Sequence, residues 1–206
     1  MSLKGFSAPW HLGSLRQWHW ISSAVCLVGM LLFSVTGITL NNAAIIPAVP
    51  VITSIEAVLP QQILDDIELP NADKAPLNVE LRSWLESELN IYIAGSVRGE
   101  WSDEDVYVAL PRPGGDAWLS LDLTSGDILY ERTARGWVAY LNDLHKGRDT
   151  GAAWSWFIDV FAIACVVFCV SGLLLLQRHA ASRPSTWPMV GLGLVIPLIL
   201  IILFVH

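Results

Sequence analysis

Five histidines, His11, His19, His145, His179 and His206, all stand at the edges of long apolar runs, and cations stand beside them. Arg16 precedes His19, Lys146 and Arg148 follow His145, and Arg178 adjoins His179. Imidazole is the commonest metal ligand among side chains and a haem-iron ligand. A haem held between helices needs two imidazoles from different helices at one depth, small residues to admit the flat ring, and cations for its propionates. A 20-residue helix carries the chain about 30 Å. Histidines at the same end of different spans can therefore meet, whereas those at opposite ends cannot share an iron. At one end the candidates are His19 and His179, with His11 in reserve and Arg16 and Arg178 as propionate partners. At the other end they are His145 and His206, with Lys146 and Arg148 as cations. The metal-ligating candidates are thus His19, His145, His179 and His206. The sequence has no CxxCH, which excludes covalent attachment and leaves haem b. The bland alternative is that interfacial histidines are merely tolerated polar residues. Termini are often poorly ordered, so for His11 and His206 that alternative carries the greater weight.

Asp159 is the only acid inside a long apolar run. Intramembrane acids are costly and mark functional sites by default. It can orient His145, carry protons for a quinol, or bind a cation; a polar contact with Asn41, Asn42 or Thr150 is the structural alternative.

The elements that must position these residues are membrane spans. Hydrophobic residues make up 53% of the 206-residue chain and charged residues only 15%, against about one quarter charged in soluble domains. Apolar runs cover 20–41, 151–178 and 187–206, each near the ~20 residues that cross a bilayer. Trp18, Trp20, Trp154 and Trp156 sit where interfacial rings belong. All nineteen Asp and Glu lie between Glu56 and Asp159, and the charges outside that interval, Lys4, Arg16, Arg178 and Arg183, are all basic. The positive-inside rule then places 1–20 and the 179–186 loop in the cytoplasm. The acidic middle segment and the C-terminus fall outside. The first run is too long and too late for a cleaved signal, so it reads as an uncleaved anchor. Its Ser22, Ser23, Gly29, Ser34, Thr36 and Gly37 allow close approach of a helix or a flat ligand. Gly191, Gly193 and Pro197 predict a kinked or mobile third span.

Between the first two spans, residues 42–76 are proline-rich and read as an irregular linker, with room for one short helix over 54–66. Residues 77–135 read as a small α+β module. Leu77, Leu81, Trp84, Leu85 and Leu89 share one helical face, and alternating segments at 91–99, 105–111, 117–123 and 127–133 predict an antiparallel meander. A helix over 136–144 leads back to the membrane through the segment 136–150. Cys26, Cys165 and Cys169 all fall in spans, so the outer segment has no disulfide framework. Cys165 and Cys169, one turn apart, read as packing residues.

Several of these strings resemble one family. Arg16-Gln17-Trp18-His19-Trp20 enters a span that ends Thr36-Gly37-Ile38-Thr39-Leu40-Asn41. A module closes on Asp122-Leu123-Thr124-Ser125-Gly126-Asp127, and Asp143-Leu144-His145-Lys146-Gly147-Arg148 precedes a span with Ser171-Gly172 near its end. Together they are similar to the PepSY-associated transmembrane-helix proteins, in particular their short three-span branch. The LHKGR string is the more specific element and the DxxSG turn the weaker one. The resemblance implies an integral membrane, mainly α protein with three transmembrane helices, N-terminus in and C-terminus out. A small α+β PepSY-like module lies outside, between the first and second spans. It also implies the inner membrane of a Gram-negative-type cell, with the module in the periplasm. Larger relatives resemble haem-b ferric-siderophore reductases, which adds weight to His19 and His145. Relatives of the short branch often carry a histidine where this chain has Asn42.

The expectation is therefore a b-type haem protein, with one or two haems per protomer or shared in a dimer. It passes electrons from quinol or a cytoplasmic donor to a periplasmic ferric chelate or flavoprotein. The competing expectation is a membrane-anchored PepSY-type binding or regulatory module, or an accessory subunit of a larger membrane complex. Three spans make a thin wall for a haem, so a homodimer or larger partner assists in either case. There is no GxSxG, HExxH or phosphate-binding glycine loop, and the acidic outer segment argues against nucleic acid.

Overall fold

The computed structural model describes residues 13–205. In chain order the elements are α1 (Leu15–Asn41), β1 (Val51–Val58), α2 (Gln61–Asp65), β2 (Lys74–Pro76), α3 (Val79–Leu89), β3 (Arg98–Trp101), β4 (Asp105–Ala109), β5 (Gly115–Asp122), β6 (Asp127–Ala134), α4 (Trp137–Lys146), α5 (Gly151–His179) and α6 (Thr186–Phe204). A short 3-10 turn, Ala180–Ser182, joins the last two. The chain divides into two compact units, Phe33–Trp156 and the remainder.

Three helices are long and apolar enough to cross a membrane: α1, α5 with its following turn, and α6. Within the membrane unit α1 and α5 run antiparallel. As α1 advances from His19 through Cys26 to Gly29, its neighbours on α5 step back from Ser171 through Cys165 to Phe161. Small side chains make this approach possible. A Cβ on Gly29 would collide with the Phe161 ring, and Ser22, Cys26 and Ser171 are buried. The described residues of α6 have no buried member, as expected where lipid replaces protein as the neighbour. α6 runs as one helix from Thr186 to Phe204 with Pro197 inside it.

The other unit is built on a six-stranded antiparallel sheet in the order β1-β6-β5-β4-β3-β2. Alternation assigns its faces: Val106 and Val108 of β4 and Leu119 and Leu121 of β5 point one way and are fully buried. Leu81 and Leu85 of α3 cover them, joined by Leu59, Leu64, Leu77, Ile91, Ile93 and Ile128. Asn78 caps α3 by accepting the Leu81 amide at 2.9 Å. On the opposite face Tyr107 stacks on Trp118, with ring centroids 6.0 Å apart.

Two readings of the middle segment change. Residues 51–58, expected as irregular or helical, form β1 and pair along their whole length with β6. Their β-branched residues Val51, Ile52, Thr53, Ile55 and Val58 favour a strand, and the helix shrinks to Gln61–Asp65 after Pro60. Lys74–Pro76 adds a second edge strand, where proline is tolerated. The 91–99 segment gives only a short strand beginning at Arg98.

Candidate imidazole sites

Each described histidine is placed by a local arrangement, and each arrangement is closed within one unit. In the membrane unit, His19 Nδ1 lies 3.1 Å from Ser171 Oγ. That hydroxyl lies within donating reach of the Phe168 carbonyl at 3.0 Å. With its proton spent there it accepts from Nδ1–H of the imidazole, and a neutral His19 then keeps its lone pair on Nε2. Its ring stacks on Phe168 with centroids 4.9 Å apart and 14° between planes. Gly172 leaves the space its edge needs: a Cβ there would sit 3.0 Å from His19 Cε1.

His179, near the other end of the α5 segment in this unit, donates from Nδ1 to the Leu175 carbonyl at 2.8 Å. A carbonyl can only accept, so His179 too presents Nε2 with a lone pair. His19 and His179 line one cleft of about 490 Å³. Phe168, Leu175 and Leu176 form its apolar wall, Gly172 its bare patch, and Ser182, Arg183 and Thr186 its polar rim. His19 and His179, expected at one end of the spans, both line this cleft. Its cation is Arg183; Arg16 and Arg178, the expected propionate partners, are exposed and outside the lining.

In the sheet unit, α4 carries His145. Its Nδ1 lies 2.6 Å from Thr36 Oγ1, whose proton is directed to the Phe33 carbonyl at 3.1 Å. The same arrangement favours the same tautomer, in which a neutral His145 donates from Nδ1. The Phe33 ring lies 4.8 Å from the imidazole. The remainder of the string around His145 positions the helix. Asp143, buried, accepts the Gly114 amide at 2.8 Å and stands 3.4 Å from Arg135 Nη2. Asn142 accepts from Thr39 Oγ1 at 2.8 Å. Trp154 donates its indole N–H to the Leu144 carbonyl at 2.8 Å. Gly147 ends α4 in the left-handed region at φ 68, and the Arg148 amide returns to the Asp143 carbonyl. The string around His145 is therefore a helix end anchored on three sides.

Other candidates separate from these centres. Lys146 is exposed. Arg148 pairs with its neighbour Asp149 at 3.4 Å. Asp159 is exposed and has no hydrogen-bond or ion-pair partner among the described residues, so the orientation of His145 falls to Thr36 instead. Asn42, at the position where a histidine was anticipated, donates to the Ile38 carbonyl at 2.9 Å and caps α1. His11 and His206 lie outside the described residues. Cys165 adjoins Cys26 of α1. Among the described residues no three His, Cys, Asp or Glu side chains converge as a metal group.

The lining of the His19 cleft is of the kind a haem would need. It has two imidazoles with Nδ1 beside an oxygen, a flat approach over glycine, an apolar wall and one arginine at the rim. The residues missed from sequence were the acceptors Ser171 and Thr36, the ring partners Phe168 and Phe33, and Arg183. No alternation or spacing rule marks a hydroxyl that accepts from a histidine over a hundred positions away.

In comparison with known proteins, the family model described as PepSY_TM-like matches residues 10–206. No curated protein and no solved structure is significantly similar to the chain.

Proposed function

The chain belongs to the PepSY_TM-like family and is a membrane protein, and from that premise we propose that it transfers electrons across the membrane through haem b. The electrons run towards an acceptor on the side of the sheet unit, a ferric chelate or a flavoprotein. The observation that carries this reading is the cleft shared by His19 and His179, each with Nδ1 committed to an oxygen acceptor.

Haem b, when bound, supplies a reversible one-electron couple at its iron. The protein's own groups do the rest. Ser171 fixes the His19 tautomer and Phe168 fixes its plane. The Leu175 carbonyl fixes the His179 tautomer. Phe168, Leu175 and Leu176 exclude water from the cleft wall, and Arg183 offers a cation to a carboxylate at the rim. Basic residues flanking α1 and α5 favour a cytoplasmic N-terminus and a cytoplasmic turn between α5 and α6. That orientation sets the acidic sheet unit in the periplasm of an inner-membrane protein. A second copy or a larger complex completes the walls of an otherwise open cleft, and quinol is the donor class that a membrane location makes accessible.

The test is an absorption spectrum of the full chain purified after expression with ample haem, with haem quantified per protomer. A Soret band that sharpens on reduction, and that weakens in His19→Ala, is the expected result. Absence of a Soret band under those conditions overturns the reading and leaves a membrane-tethered docking module.

A further inference from the structure

Two stretches of the spans correspond position by position, with three of five residues identical: Phe33-Ser34-Val35-Thr36-Gly37 on α1 and Phe168-Cys169-Val170-Ser171-Gly172 on α5. Each has an aromatic ring, a small residue, valine, a hydroxyl and glycine in the same order. The structure uses the two stretches in the same way. The hydroxyl turns its proton back to the carbonyl of the phenylalanine three residues earlier, Thr36 to Phe33 at 3.1 Å and Ser171 to Phe168 at 3.0 Å. It faces Nδ1 of a histidine, His145 at 2.6 Å and His19 at 3.1 Å. The phenylalanine ring lies 4.8 Å from the first imidazole and 4.9 Å from the second. The glycine lies beneath the same edge: a Cβ on Gly37 would be 3.7 Å from His145 Cε1, and one on Gly172 would be 3.0 Å from His19 Cε1. The exchange is reciprocal. The stretch on α1 receives the histidine that precedes α5, and the stretch on α5 receives the histidine in the first turns of α1.

We infer that Thr36 and Ser171 are equivalent positioning residues, so that the chain carries two copies of one imidazole site. A hydroxyl that has already spent its proton on a carbonyl is an acceptor only, and the histidine facing it must place its proton on Nδ1. Nε2 then keeps its lone pair for a ligand, and the hydrogen bond at Nδ1 makes that lone pair more basic and fixes the ring plane. Glycine at the fifth position lets the ring edge lie close to the helix backbone. Ser171 and Thr36 touch neither iron nor substrate; they act through the imidazoles. The tautomers follow from the protein alone. The identity of the ligand, haem at the His19 copy, rests on the function proposed above.

The experiment uses the full chain in detergent with ¹⁵N-labelled histidine, before and after titration with haem. His19 and His145 resonances are assigned through His19→Gln and His145→Gln. In the ligand-free protein, at a pH chosen so that both rings are neutral, both carry their proton at Nδ1. Ser171→Ala shifts the His19 signals towards a mixture of tautomers and leaves His145 unchanged; Thr36→Ala does the converse. The exchanged hydroxyls Ser171→Thr and Thr36→Ser retain the parent spectrum, which separates positioning from a loss of packing. In the haem titration Ser171→Ala weakens binding by about 10–100-fold, the range for loss of a group that orients a ligating histidine. Tautomers that ignore the alanine substitutions, or hydroxyl exchanges that behave like alanine, overturn the inference. Tautomers that follow the hydroxyls in a protein that binds no haem uphold it and overturn the haem reading instead.

Discussion

Asp143 accepts the amide proton of Gly114 at 2.8 Å, and through this contact α4 is fastened to the sheet before its last turn presents His145 to Thr36. Asp143→Ala removes the acceptor and leaves a buried N–H unpaired, a loss of about 1–3 kcal/mol. Thermal unfolding of the full chain in detergent measures it. Asp143→Asn keeps one oxygen for Gly114 and is expected to fall between the two.

Gly114 itself admits no side chain. It sits at φ +72, and a Cβ would lie 2.7 Å from the Tyr140 Cα. Backbone cannot yield as a flexible side chain does, so Gly114→Ala combines left-handed strain of about 1–2 kcal/mol with displacement of α4. The expected signature is a lower unfolding temperature together with altered His145 resonances, since α4 carries both contacts.

Gly29→Val drives a branched side chain into the Phe161 ring at the α1–α5 contact. Overpacking of this kind costs about 1–3 kcal/mol. A reduced unfolding temperature of the detergent-solubilised protein checks the prediction, and an unchanged one shows that the helices are not held at this point.

Asp122 predicts an acid-sensitive turn. The Ser125 amide first, then the Thr124 amide, hold its carboxyl below the usual 3.8, with slight burial opposing and the Ser125 hydroxyl assisting. A depressed folded-state pKa means that the unfolded chain binds the proton more readily. The stabilising contribution is therefore fully present above the unfolded value and is lost as pH falls through the folded one. Asp122→Asn flattens the pH dependence of unfolding below about pH 4 and lowers stability at neutral pH, where the ionised carboxylate's contribution is otherwise fully present.

Asp159 is exposed, and among the described residues it has no partner to lose. Asp159→Ala takes an unpartnered acid out of an apolar span and is expected to hold or raise stability. If the residue carries protons for a quinol, quinol-dependent reduction falls in this variant while the melting temperature does not, so the two measurements together assign it.

How much of this was legible in the residues depends on the range of the interaction. Local periodicity located α1, α3, α5, α6 and the β4–β6 meander, because twenty apolar residues or a strict alternation leave little choice of element. It missed β1. The proline-rich surroundings of Val51–Val58 resembled a linker, and its β-branched residues became a strand only against a β6 edge more than sixty residues later. Similarly, Gly147 was readable as part of a string, whereas its service as the stop for α4 needed the chain in three dimensions.

Taken alone, the sequence determined three apolar spans, an acidic insertion between the first two, and histidines kept to the edges of those spans. Composition and period suffice for this, since burying or exposing a run of side chains is decided within the run. The tertiary structure decided which histidine meets which hydroxyl, that Arg183 rather than Arg16 or Arg178 rims the cleft, and that Asn42 caps a helix. Those outcomes depend on the antiparallel pairing of α1 and α5 and on the seating of α4. A hydrogen bond acts over about 3 Å, and no linear pattern records which distant residues will come within that reach.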